Sequence, residues 1–155
     1  MANTLYNRFL ELESNKTYGW DSSTTVRALL ATGTSYIPDK DHATVQSMIT
    51  AGLSELAAAG YSRQTVSNKL VYNNSATDTV EYRCDNINFG DIAAGHTVNA
   101  IVLFIRVGAS DDAANDIPIA YIDTAAGGSL PMTTGGGAFI VNMPSTGIIN
   151  KKQGT

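Results

Sequence analysis

At 155 residues the chain is long enough to bury roughly two-thirds of its unfolded surface in one domain, without help from a disulfide or metal. The lone cysteine, Cys84, has no internal partner, and 10 Lys+Arg set against 14 Asp+Glu, with no basic stripe, argue against binding nucleic-acid phosphates. Charged residues are 15% of the chain where about 25% is usual, which leaves much neutral Thr, Ser, Asn and Gly surface; composition alone favours an ordinary β protein with polar loops over a surface made for a partner to cover at small desolvation cost.

In chain order, the opening MANTLYNRF has neither the basic nor the apolar region of a secretory signal, so synthesis in a reducing cytoplasm is expected. Leu5, Phe9 and Leu12 recur at i, i+4, i+7 behind Asn3 as cap, which predicts a short amphipathic helix over 4–13 within an N-terminal helix or arm, residues 1–20. The remaining 21–155 read as one β-rich domain. In TTVRALLAT, Val26, Ala28 and Leu30 alternate with Thr25, Arg27 and Leu29, the pattern of a strand with one clearly buried face. From Asp41 to Ala59, Val45, Met48, Ile49, Leu53 and Leu56 share a helical face, with Asp41 as cap, Gly60 as stop and Gly52 as a point where the helix can split.

Beyond Gly60 the pattern is β: short strands near 61–66 and 69–72, a turn over 73–78, and a half-exposed strand in VEYRCD with Val80, Tyr82 and Cys84 inward and Glu81, Arg83 and Asp85 outward. Strand 97–107 is apolar on both faces, Ile101, Leu103, Ile105 and Val107 against Val98, Ala100, Val102 and Phe104, so it must be covered on both sides. Strand 117–124 follows, then a turn region at Gly127, Gly128, Pro131 and 135–137, and a last strand in AFIVNM. The longest apolar run, AIVLFI, is far short of the ~20 residues of a membrane span. The expected fold is mainly β (α+β), a compact β-sandwich-like domain with one packed helix.

Candidate chemistry is sparse. His42 and His96 are 54 residues apart in no metal-binding spacing and read as exposed loop-edge residues. Cys84 reads as a buried, inert thiol. Asp111, Asp112, Asp116 and Asp123 offer oxygen atoms but match no EF-hand spacing and read as a solvated hairpin tip. GGGAF precedes a strand and lacks the Lys-Ser/Thr of a phosphate loop, and no GxSxG elbow is present. The sequence is thus read as non-enzymatic, with no catalytic residue, metal or cofactor.

MANTLYNR at 1–8, TTVRALLATGTSYIPDKDH at 24–42, GYSRQTVSNK at 60–69, and the run from AIVLFIRV through PIAYIDTAAGGSLPMTTGGGAFIVNM resemble, in the same order, a family of small tailed-bacteriophage virion proteins. The chain departs from that pattern in closing with VNMPSTGIIN and in its alanine-rich 41–59 segment. The resemblance implies a structural component of the virion, a capsid decoration (cement) protein on the capsid exterior that binds and stabilises the major capsid protein lattice. A tail or neck ring component, or a host-attachment or carbohydrate-binding module using Trp20, Tyr18 and Tyr36, is the alternative. The decoration reading implies a homo-oligomer, a trimer by preference, with no nucleic-acid or membrane partner. Its partner-binding residues are expected at Leu5, Tyr6, Phe9, Tyr36 and Met132, on the N-terminal stripe and the loops at 33–41 and 125–137.

Overall fold

The computed structural model describes residues 3–125 and 128–152; Gly127 of the expected turn and the first two residues of the opening motif lie outside that range. Over the described residues the chain is mainly β with two short helices. It runs β1 (Thr4–Leu5), α1 (Asn7–Ser14), β2 (Val26–Thr32), α2 (Val45–Thr50), β3 (Ser54–Glu55), β4 (Gln64–Thr65), β5 (Leu70–Asn74), β6 (Thr79–Arg83) and β7 (Ile87–Asp91). There follow β8 (Thr97–Val98), β9 (Ala100–Ile105), β10 (Ile117–Ile122), β11 (Thr124–Ala125), β12 (Gly128–Ser129), β13 (Met132–Thr133), β14 (Ala138–Val141) and β15 (Ile149–Lys152).

The central sheet has the order β1-β10-β9-β2-β3, with β4 also on β2, and every pairing is antiparallel. Its middle strand β9 is buried at all six positions, as its two apolar faces require. Ile101, Leu103 and Ile105 point into one core, together with Val26, Ala28 and Leu30 of β2, Phe9 and Leu12 of α1, Tyr82 of β6, Phe89 of β7 and Phe139 of β14. Ala100, Val102 and Phe104 point into a second core on the opposite face, with Leu29, Tyr6, Tyr36, Tyr121, and Val45 and Met48 of α2. One face of the sheet is thus roofed by the ladders β5-β6-β15 and β7-β14, the other by α2 and the chain leading into it.

The N terminus differs from the expected continuous helix. Residues 4–5 are extended and add to the edge of the sheet, Thr4 opposite Tyr121 and Leu5 opposite Ala120, and Asn3 exchanges hydrogen bonds with the Thr124 backbone instead of capping a helix. The helix starts after Tyr6, whose side chain makes no cap. The break lets one segment serve both cores: Tyr6 enters the face shared with α2, and Phe9 and Leu12, one and two turns on, enter the other. Tyr6 and Phe9 are fully buried, so residues 3–14 belong to the chain's own core and are not a free arm. Lys151 of β15 and the Tyr82 hydroxyl both bind Glu13 at the end of α1, tying it down.

The helix expected over 41–59 is one turn and a half. Thr44, not Asp41, caps it: the Ser47 amide donates to Thr44 Oγ1 at 3.1 Å while the Thr44 amide donates to Ser47 Oγ, a reciprocal cap. Gly52 at φ +104 ends it, and the chain continues as β3, so Leu53 and Leu56 are buried from either side of that short strand and not from a helix. Gly60 has a stricter role. At φ +84 it lies against the end of β7, where a Cβ would sit 2.0 Å from the Asp91 carbonyl oxygen, and the neighbouring Ala59 carbonyl accepts from the Ala93 amide at 2.9 Å. In β6 the expected alternation is blurred: Tyr82 is buried, Cys84 is half-buried, and Glu81 is shielded by Asn74 and Arg83, whose hydrogen bonds, Asn74 first, hold its carboxyl below the usual range. Strands β7 and β15 were not expected from the sequence.

Candidate protein-binding site

Between β2 and α2 the segment 33–42 builds a fixed loop from a buried anchor. Tyr36 lies in the second core, its ring 5.3 Å from that of Tyr121 and stacked at 5.8 Å on His42. Its hydroxyl is 2.7 Å from the Tyr6 hydroxyl and 3.0 Å from His42 Nδ1. Burial pushes the phenols of Tyr6, Tyr36 and Tyr121 upward, so all three are protonated at neutral pH. With one proton each, Tyr6 and Tyr36 must donate in sequence along the row that ends at His42, and the direction is set by the histidine tautomer. His42 is therefore a half-buried member of this row, which corrects the expectation of an exposed loop-edge residue.

The next residue reverses polarity. Ile37 is 77% exposed, the largest exposure among the described large apolar side chains. It is held there on both sides. Tyr36 is clamped in the core, and Pro38 restricts the backbone of Ile37 to extended conformations. The loop's far arm is fastened to the N-terminal segment, since the Asn7 amide donates to the Lys40 carbonyl at 3.0 Å and Asn7 Nδ2 donates to Asp41 Oδ1 at 2.7 Å. The Asp39 carboxylate accepts from the Asp41 amide and its carbonyl accepts from the His42 amide. An apolar side chain on a rigid base is suited to entering a pocket on a partner, because little conformational freedom remains to be lost on binding.

Of the residues expected to meet a partner, Tyr6, Phe9 and Tyr36 lie inside the chain's own cores and are corrected to structural roles. Leu5 is half-buried in β1, packed against the first core. Met132 is at the surface on β13, at 36% exposure, in a shallow depression with Phe139 and the exposed Ile140. Ile37 was missed, and its signal was an apolar residue directly before proline in an otherwise polar loop. Trp20 is buried and donates from Nε1 to the Arg83 carbonyl at 2.8 Å, so neither it nor Tyr36 offers a face to a sugar.

The acidic tip is also more than a solvated turn. Asp116 is fully buried, accepting from the Val107 and Asp112 amides at 3.3 and 2.8 Å, and burial raises its carboxyl's pKa. Asp111 meets Arg27 at 3.0 Å, and Arg63 forms a two-pronged pair with Glu55 at 2.9 and 2.7 Å while lying 5.2 Å over the Phe104 ring. Tyr61 adds its hydroxyl to Glu55 and accepts the Leu30 amide. This network closes one end of the second core. Among the described residues no group of His, Cys, Asp and Glu is arranged to hold a metal. Burial pushes the Cys84 thiol up to about 12, which leaves it un-ionised at neutral pH. Compared with known proteins, the chain matches no family model, no curated protein and no solved structure.

Proposed function

We propose that this chain is a non-enzymatic virion structural protein, a decoration protein that binds the major capsid protein lattice from the capsid exterior. The observation that carries the reading is Ile37, an apolar side chain presented to solvent from a loop anchored by Tyr36, Tyr6 and His42. Supporting it are the low charge of the chain and the resemblance of its sequence order to small tailed-phage virion proteins. The mechanism is avidity: repeated sites on a shell let several modest contacts act together, and preference for the assembled lattice over free subunits stabilises it by mass action.

The test is co-sedimentation of purified protein with capsids of the phage that encodes it, assembled without this chain. Saturable binding that raises the temperature of capsid disruption is expected, and Ile37→Asp should abolish it while leaving the protein's own melting unchanged. Failure to sediment with capsids at any concentration would overturn the assignment.

A further inference from the structure

The ladder β5-β6-β15 ends in an unprotected edge. β5 lies outermost, and Leu70, Val71 and Tyr72 are 53%, 47% and 42% exposed. Edge strands ordinarily carry a charge, a proline or a bulge that prevents pairing with another chain. Residues 70–74, Leu-Val-Tyr-Asn-Asn, have none of these, and their register against β6 runs without a shift from Leu70 opposite Arg83 to Asn74 opposite Thr79.

The direction of the free backbone groups follows from β6. The Tyr82 carbonyl accepts from Ile148, on the β15 side, while the Asp85 amide donates to Ser67, on the β5 side. In an antiparallel strand the N–H and C=O of one residue point the same way and alternate along the chain. Arg83, Glu81 and Thr79 therefore bond to Leu70, Tyr72 and Asn74, and Val71 and Asn73 turn their N–H and C=O outward.

We propose that β5 pairs with β5 of a second copy of this chain, antiparallel across a twofold axis at Tyr72. That placement sets Val71 opposite Asn73 of the partner copy and Asn73 opposite its Val71, so the outward groups satisfy one another in four hydrogen bonds. Tyr72 then faces its own symmetry mate in the closely spaced, non-hydrogen-bonded position. Each Tyr72 ring already carries the Arg83 guanidinium at 4.1 Å, so the seam is a pair of tyrosines flanked by arginines. The nearest charge along the edge, Lys69, falls opposite Ser75 of the second copy, so no like charges are paired along the two edge strands, and each Arg83 at the seam is already neutralised by Glu81 of its own chain. The result is one six-stranded sheet shared by two molecules, β15-β6-β5 continued by the same strands in reverse. This twofold differs from the trimer implied by the sequence resemblance, and it does not depend on the capsid reading.

Two measurements on the full-length protein test it. Sedimentation equilibrium should give twice the chain mass, and Val71→Pro, which removes an outward donor and none of the β6 ladder, should weaken association roughly tenfold or more. In a Cys84→Ser background, Tyr72→Cys should oxidise to a disulfide-linked dimer, since facing Cα atoms about 4.5 Å apart fit that bond. Leu70→Cys should not, because its symmetry mate lies roughly 13 Å away along the strands. A native protein that is monomeric at every concentration, a trimer, or equal cross-linking at positions 70 and 72 would overturn the proposal. The cysteine comparison stands even if Val71→Pro impairs folding.

Discussion

Replacing Phe9 by alanine probes whether the N-terminal segment is part of the fold. Phe9 is fully buried in the first core beside Leu12, Trp20 and the inward residues of β9 and β10, in close-packed surroundings with little room to collapse into the space left behind. Removing a buried phenyl ring costs the lost transfer free energy plus the cavity, about 3–5 kcal/mol, a large share of the 5–15 kcal/mol that typically holds a domain together. For a chain of this length that corresponds to a fall in melting temperature of about 6–20 °C. Urea unfolding followed by tryptophan fluorescence reads the change, with the slope of the transition unchanged. Arg8→Ala, one residue earlier on the exposed side of α1, loses only a surface ion pair with Glu11 and should shift stability by less than about 0.5 kcal/mol. If Phe9→Ala is as mild as Arg8→Ala, the helix does not pack as described.

Three further outcomes are expected. Gly60→Ala should destabilise far more than Gly33→Ala: both positions have positive φ, costing about 1–2 kcal/mol for a side chain, but only at Gly60 does the new methyl collide with backbone; equal melting shifts would contradict this. Arg63→Ala should cost on the order of 3 kcal/mol, because Glu55 loses both prongs of its partner and Asp116 keeps its burial, with chemical denaturation as the measure; a cost under about 0.5 kcal/mol would mean the network is solvated. Burial raises the phenols of Tyr6, Tyr36, Tyr61, Tyr82 and Tyr121, so their contribution is intact below pH 10 and declines above it, where the unfolded chain ionises first. Each strongly shifted phenol steepens the loss by up to about 1.4 kcal/mol per pH unit, and Tyr61→Phe should flatten a urea-midpoint profile between about pH 10 and 12.

The sequence was most readable where one force dominated. Strand β9 could be recognised because both its faces are apolar, and β2 because Val26, Ala28 and Leu30 form one apolar row, although Leu29 and Ala31 are buried on its other face as well, so that it has not one buried face but two. The 41–59 segment misled because Leu53 and Leu56 keep helical spacing by coincidence. What ends the helix is the left-handed turn at Gly52, and what starts it is the reciprocal Thr44–Ser47 cap, while Asp41, three residues upstream, is engaged by Asn7 instead. Strand β7 was hidden by a mid-strand glycine at φ +77, and β15 by two adjacent lysines, of which Lys152 is exposed while Lys151 turns back to Glu13 and the Tyr82 ring, contacts the sequence does not display. The candidate site was half legible. Tyr36 stood out as an aromatic in a loop, yet whether an aromatic looks inward or outward depends on partners such as Tyr6 and Tyr121, far away in the chain.

The pairing of β1 with β10 sets an order of events during synthesis. Thr4 leaves the ribosome more than a hundred residues before its neighbour in the sheet, Tyr121, and in the central pair Val26 precedes Ile105 by 79 residues (105 − 26). Closing such distant contacts is slow, in the millisecond-to-second range of β-rich domains. Until β9 and β10 emerge, Tyr6 and Phe9 have no core to enter. The nascent chain therefore leaves Tyr6 and Phe9 without a core until β10 has been made, and the sheet can assemble only once the whole stretch from β1 to β10 is free of the ribosome.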